Sequence, residues 1–119
     1  MTRDSKTDCI FCKIASGEIP ARIVARTDSA VAFHDLNPQA PHHVLVIPTR
    51  HIAGAAFVGP EATDVWAPLM SLATEVAKQL ELDEKGYRLV LNQGPDGGQS
   101  VGHLHVHILG GRRLSWPPG

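Results

Sequence analysis

Three histidines alternate with aliphatic residues in His103-Leu104-His105-Val106-His107-Ile108-Leu109, in a chain that holds seven histidines in all. In a β-strand successive side chains point to opposite faces, so residues two apart share a face roughly 6.5–7 Å from one another. His103, His105 and His107 are therefore expected to line one face. Leu104, Val106 and Ile108 then pack against a core on the other. A helix would spread the same histidines through about 400° of arc at about 100° per residue, so only the strand makes one site. A face that merely meets water more often carries Thr, Lys, Glu or Ser. Three imidazoles in a row suit metal ligation, proton transfer or nucleophilic attack.

Two further groups of residues could do chemistry. Cys9 and Cys12 are the only cysteines and stand as Cys-x-x-Cys. In a reducing compartment that spacing suits a metal half-site or a redox pair better than a structural disulfide. The bland reading is two small buried apolar residues. The redox reading wants a βαβ context, whereas Lys13 to Glu18 reads as a short helix closed by Gly17. The metal reading needs two more ligands, and histidines are available. The other group is Gly97-Gly98-Gln99-Ser100, immediately before the histidine strand. By itself it reads as a flexible hairpin loop, and it is neither a G-x-G-x-x-G fingerprint nor a Walker loop. Its position beside nucleophiles makes exposed N–H groups and a hydroxyl available to phosphate oxygens.

The elements that must position these residues follow from periodicity and punctuation. Arg22 to Arg26 and Ala30 to His34 read as two strands joined by a turn at Thr27-Asp28-Ser29. Asp35 to Pro41 is a loop, because two prolines and Asn37 stop both periodicities. His42 to Pro48 reads as a buried third strand whose alternation puts His43, Leu45 and Ile47 on one face, so His43 can turn toward the triad. His51 follows at the mouth of the next connection. Ile52 to Pro60 is small and apolar, compatible with a short helix and a loop. From Glu61 to Glu81 a long helix is expected. Val65, Leu69, Leu72, Val76 and Leu80 form its apolar stripe. Pro68 should bend that helix or sit in its first turn. Tyr87 to Asn92 is a fourth strand, joined through the glycine-rich link to the histidine strand as a long-looped antiparallel hairpin. The last ten residues hold too much Gly and Pro for regular structure.

A chain of 119 residues, 43% hydrophobic, makes one small soluble domain over residues 9–119. Residues 1–8 are polar, read as a flexible tail, and lack the apolar region of a signal peptide. No apolar run approaches the length that spans a membrane, so no membrane partner is expected and the cytoplasm is the default location. With a net charge of −1 there is no basic footprint for duplex nucleic acid. A small anion remains compatible with backbone N–H groups and histidines. A chain this small hides only about two-thirds of its unfolded surface, which makes association through a sheet edge reasonable.

The segment His103 to Leu109 resembles the signature of the histidine triad superfamily, in which histidines alternate with apolar residues. More of the chain is similar to its Hint branch, the purine nucleoside phosphoramidases: Ala32-Phe33-His34-Asp35, Pro38-Gln39-Ala40-Pro41, Val46-Ile47-Pro48, Gly86-Tyr87-Arg88, Asp96 to Val101, and the terminal Trp116-Pro117-Pro118-Gly119. These pieces lie within a resemblance running from about Phe11 to the end of the chain. It implies an α+β protomer with a five-stranded antiparallel sheet, one long and one short helix, and a homodimer that continues the sheet. It also implies hydrolysis of a nucleoside monophosphate (AMP or GMP) linked through phosphate to an amine, by way of a covalent nucleotidyl-histidine. By motif position His105 is the nucleophile and His107 contacts the α-phosphate. His103 and His43 hold the network, and Ser100 sits near the leaving group. Gly98, Gln99, Ser100 and Val101 belong to the phosphate cradle. Asp35 lies where the family binds ribose hydroxyls, flanked by His34, Leu36 and Asn37, with Asn92 nearby. Trp116 belongs to a tail that reaches toward the partner protomer's site.

No cofactor is needed for this chemistry. A neutral imidazole is a competent nucleophile near neutrality, its unperturbed pKa being about 6.5. The nucleophile must attack through one nitrogen while an acceptor, such as a backbone carbonyl, holds the other. Animal Hint proteins do not show the Cys-x-x-Cys, but many bacterial triad proteins and the galactose-1-phosphate uridylyltransferases do. That second resemblance implies a structural zinc held by Cys9, Cys12, His51 and His103, with no open position. Three other functions stay open: dinucleoside polyphosphate hydrolysis or nucleotidyl transfer, a non-catalytic nucleotide-binding module, and a metal centre made of all three triad histidines.

Overall fold

The computed structural model describes residues 8–60 and 62–119. The expected tail at residues 1–8 thus lies outside the described residues except for Asp8. Five strands form one antiparallel sheet in the order β1-β2-β3-β5-β4. They are β1 (Ile23–Arg26), β2 (Ala30–His34), β3 (His42–Pro48), β4 (Tyr87–Val90) and β5 (Val106–Gly110). Helix α1 (Ile10–Ala15) precedes the sheet, and a turn of 3₁₀ helix (Ala55–Phe57) and helix α2 (Thr63–Gln79) join β3 to β4. This is the α+β architecture expected. No described helix is long and apolar enough to cross a membrane.

The two faces of the sheet carry different cores. Val44 and Val46 of β3 and Val106 and Ile108 of β5 pack with Val65, Leu69, Leu72, Ala73, Val76 and Ala77 of α2. Their alternates face the other way: Val31, Phe33, Leu45 and Ile47 meet Cys9, Phe11 and Ile14 around α1. β3 is therefore covered on both sides, which is why it reads as a continuous apolar run. Because Leu45 pairs with His107 and His43 with Leu109, these four side chains emerge on the α1 side.

Several boundaries differ from the sequence reading. The ladder of β5 begins at Val106, so only His107 of the triad sits in the strand proper. Upstream, the backbone bonds elsewhere: His103 N–H donates to the Val101 carbonyl (2.8 Å) and Leu104 N–H to that of Ile52 (2.7 Å). The alternation survives, since Leu104 still joins the α2-side core. β4 ends at Val90 instead of Asn92, and β1 starts at Ile23 instead of Arg22. α1 begins at Ile10, three residues before the short helix expected from Lys13, because Cys9 Sγ accepts the Cys12 N–H and caps it. Gly17, at φ +84°, closes that turn. Pro68 is the sixth residue of α2, past the first turn, and the helix continues through it without the bond to the Asp64 carbonyl. Leu80 is the C-cap of α2 and, partly buried, continues its stripe against the same core.

Candidate functional site

β5 and the end of β3 bring the polar groups together. His43 sits two positions from Leu45, opposite β5, and its Nε2 lies 2.9 Å from His107 Nδ1. Hydrogen bonding fixes which nitrogen carries each proton. The Gln39 backbone N–H donates to His43 Nδ1 (3.0 Å), so in a neutral ring the proton resides on Nε2. His43 Nε2–H then donates to His107 Nδ1, with Asp35 Oδ2 at 3.5 Å beside it. His107 is left with its proton on Nε2, as a donor.

His105 is set the opposite way. Its Nδ1–H donates to the His103 carbonyl at 2.7 Å, which leaves the lone pair on Nε2. The rings of His105 and His107 stand 5.0 Å apart, and Phe11 meets His105 edge-on at 5.2 Å. Burial pulls the His105 pKa down, opposed by the His103 carbonyl and Asp35. Burial also lowers His107 to about 4, helped by His105 and His43 and opposed by Asp35. His43 is lowered by burial against Asp35. All three imidazoles are thus neutral at pH 7. The site offers one unprotonated nitrogen beside one N–H donor, the pairing that nucleophilic attack on phosphorus requires.

His105 and His107 open into a cavity of about 290 Å³, with His43 buried behind them. Ile10, Phe11 and Ile14 of α1 line one side with Ile19, Pro20, Ala21 and Arg22; Phe33, His34, Asp35, Leu36 and Leu45 line another; Ser100, Val101, His105 and His107 complete it. Sequence reading missed the α1 wall, because contacts across the sheet carry no local signal; its only pointer is the pair of cysteines that flank Ile10 and Phe11. A larger cleft of about 560 Å³, between Leu82, Lys85 and Arg112, contains none of the triad or cysteine residues.

The glycine-rich link is braced by one amide. Gln99 Oε1 accepts the Gly94 N–H (2.9 Å), and its Nε2 donates to the carbonyls of Ala53 (2.8 Å) and Val101 (3.0 Å). The N–H groups of Gly98 and Gln99 are engaged within the loop by Pro95 and Gly94 carbonyls. Those of Ser100 and Val101 meet no acceptor among the described residues. Of these four N–H groups, two are thus left to meet a ligand. Asn37 N–H bonds Asp35 Oδ1 (2.8 Å), which fixes that carboxylate while leaving Asn37 itself outside the cavity lining. Asn92 also lies outside the lining, as does Trp116, which is 81% exposed.

A second cluster adjoins the first. One donor atom from each of Cys9, Cys12, His51 and His103 lies within 4.8 Å of the others. His51 Nδ1 is 3.2 Å from Cys12 Sγ, and His103 Nδ1 is 3.2 Å from Cys9 Sγ and 3.5 Å from Cys12 Sγ. Zn–S near 2.3 Å and Zn–N near 2.0 Å give a tetrahedral S···N edge of about 3.5 Å. His103 Nε2–H donates to the Pro48 carbonyl (3.0 Å), so Nδ1 presents its lone pair to the cysteines. Burial holds this imidazole neutral, near pKa 4. The donor set fits a closed zinc site.

An open antiparallel sheet with a helix on each face and an alternating-histidine site at its centre defines the class. The chain belongs to the HIT domain family, whose model matches residues 16–114. It is 47% identical over 118 residues to the 14 kDa zinc-binding protein of Zea mays, covering 98% of this chain and 90% of that protein. It is 44% identical over 117 residues to the adenylylsulfatase HINT1 of Arabidopsis thaliana, covering 97% and 79% respectively. The crystal structure of a HIT family hydrolase from Legionella pneumophila Philadelphia 1 superimposes with a TM-score of 0.91 at 48% identity, covering 93% of this chain and 99% of that one.

Proposed function

We infer that this protein is a nucleotide hydrolase that cleaves purine nucleoside 5′-phosphoramidates through a nucleotidyl-His105 intermediate. The observation that carries the reading is the opposed tautomers of His105 and His107 at the mouth of one cavity. The purine lies against the apolar wall made by Ile10, Phe11, Ile14 and Phe33, with its ribose at Asp35 beside His34 and Leu36. His107 Nε2–H and the N–H groups of Ser100 and Val101 meet the phosphate oxygens. Gly98 and Gln99 shape the loop that presents them. His105 Nε2 attacks phosphorus, the P–N bond breaks, and the amine nitrogen takes up a proton from solvent, passed on by the Ser100 hydroxyl, as it departs. The nucleotidyl-imidazolium keeps its Nδ1–H on the His103 carbonyl. Water then attacks phosphorus, and the N–P bond breaks to release the nucleoside monophosphate and neutral His105. None of these steps requires a metal ion.

Zinc, when bound, supplies a closed structural tie through Cys9, Cys12, His51 and His103. The protomer pairs with a second copy through an open sheet edge, and Trp116 reaches the partner's site. A second reading has specific support in the name of the Arabidopsis relative: adenylyl sulfate would present the same α-phosphorus with sulfate as the leaving group.

The test is steady-state hydrolysis of a fluorogenic adenosine 5′-phosphoramidate by wild type and His105→Asn, with adenylyl sulfate and diadenosine triphosphate in parallel. Turnover of the phosphoramidate that falls by at least about 10⁴-fold in the variant is expected. Equal rates in the two proteins would remove His105 from its role. Preferred turnover of either alternative substrate would reassign the leaving group.

A further inference from the structure

The Cys–His cluster and the cavity share a helix. α1 is six residues long, too short to persist without tertiary support, and it buries only Phe11 and Ile14. α2 buries six side chains. Hydrophobic stabilisation scales with the apolar area removed from water, so α1 is the weakly held element. Its N-cap and first turn carry Cys9 and Cys12, which face His51 after β3 and His103 before β5. Between those cysteines, Ile10 and Phe11 form a wall of the cavity. Phe11 also meets the ring of His103 at 5.9 Å and that of His105 at 5.2 Å, and the His103 carbonyl holds His105 Nδ1.

We propose that Cys9, Cys12, His51 and His103 are positioning residues for the nucleotide site, and that zinc and nucleotide bind with positive coupling through α1. Zinc draws α1 onto the sheet and orients His103, which completes the apolar wall and fixes the carbonyl that sets the His105 tautomer. A nucleotide seated against Phe11 holds α1 in that same place, so it raises the affinity of the four donors for zinc. Linkage makes the two effects equal in size, and couplings of this kind are typically about 5–150-fold. The inference rests on the nucleotide reading above.

The experiment uses the full chain, kept reduced. Zinc affinity is measured by competition with a chromogenic chelator, with and without saturating AMP. AMP affinity is measured by calorimetry on zinc-loaded and chelator-stripped protein. Hydrogen–deuterium exchange follows both forms. The expected result is about tenfold or greater tightening in each direction, by equal factors. Without zinc, protection should be lost over residues 10–15 and retained in α2. Phe11→Ala, which leaves the four donors in place, should shrink the coupling. Affinities that agree within twofold in both directions overturn the proposal. So does loss of protection through residues 63–79, which would mean that zinc holds the whole fold and not one wall. If zinc-loaded protein binds no AMP, the nucleotide reading itself falls, and the exchange pattern still decides whether zinc orders α1.

Discussion

Replacing His43 tests the assignment of protons in the site without touching either His105 or His107. In His43→Ala two hydrogen bonds disappear, from Gln39 N–H at 3.0 Å and to His107 Nδ1 at 2.9 Å. At about 1 kcal/mol net for each, stability should fall by about 2 kcal/mol. The larger consequence is kinetic. With Nδ1 unpartnered, His107 is free to carry its proton there and to present a lone pair to the phosphate. Losing one preorganised donor of this kind typically lowers kcat by about 10²–10³-fold. His43→Gln separates the two effects, because an amide can accept from Gln39 and donate to His107 at the same time. It should recover most of the lost rate. Stability is read from thermal denaturation and catalysis from kcat on the fluorogenic phosphoramidate. A His43→Ala enzyme within threefold of wild-type kcat would refute the relay, as would a glutamine variant no faster than the alanine one.

Acid should act on this protein in two ways. Because burial holds His105 below its ordinary pKa, kcat/KM should stay level from pH 8 to about 6.5 and decline only below that. His107 titrates at about 4 in the folded chain against about 6.5 unfolded, so between those values the unfolded chain binds the extra proton. Stability from this residue is therefore complete above pH 6.5 and is lost as the pH falls toward 4. Thermal melts should show that decline, shallower in His107→Asn; melts unchanged from pH 7 to 4.5 would contradict it. In the glycine-rich link, a Cβ on Gly97 would stand 2.5 Å from the Gln93 carbonyl oxygen and 2.9 Å from its nitrogen, backbone that cannot move aside. Gly97→Ala should shift the loop and lower kcat/KM by about tenfold or more. Gly98→Ala meets open space and carries only the strain of φ +78°, about 1–2 kcal/mol, so its rate should suffer less.

The local elements were legible because their causes are local. Alternation from His42 to Pro48 and from Leu104 to Leu109 separates two faces whatever the partners are, and the stripe from Val65 to Val76 can belong only to a helix. The sequence by itself therefore determined which histidines face the site side and which aliphatic residues face α2. The terminal tetrapeptide and the triad were enough for the family resemblance. Ladder limits depend on neighbours: β5 starts at Val106 because Ile52 and Val101 take the preceding backbone, and neither contact leaves a trace in the residues involved.

What only the tertiary structure decided is the chemistry of each imidazole. By residue type and spacing alone His103, His105 and His107 look equivalent, and only family resemblance separates them; in the structure one faces two thiols, one donates to a carbonyl and one accepts from His43. An imidazole's role is set by which of its two nitrogens holds the proton. That choice is made by the acceptor or donor opposite each nitrogen, and here Pro48 and Cys9 at His103 and His43 at His107 come from distant parts of the chain.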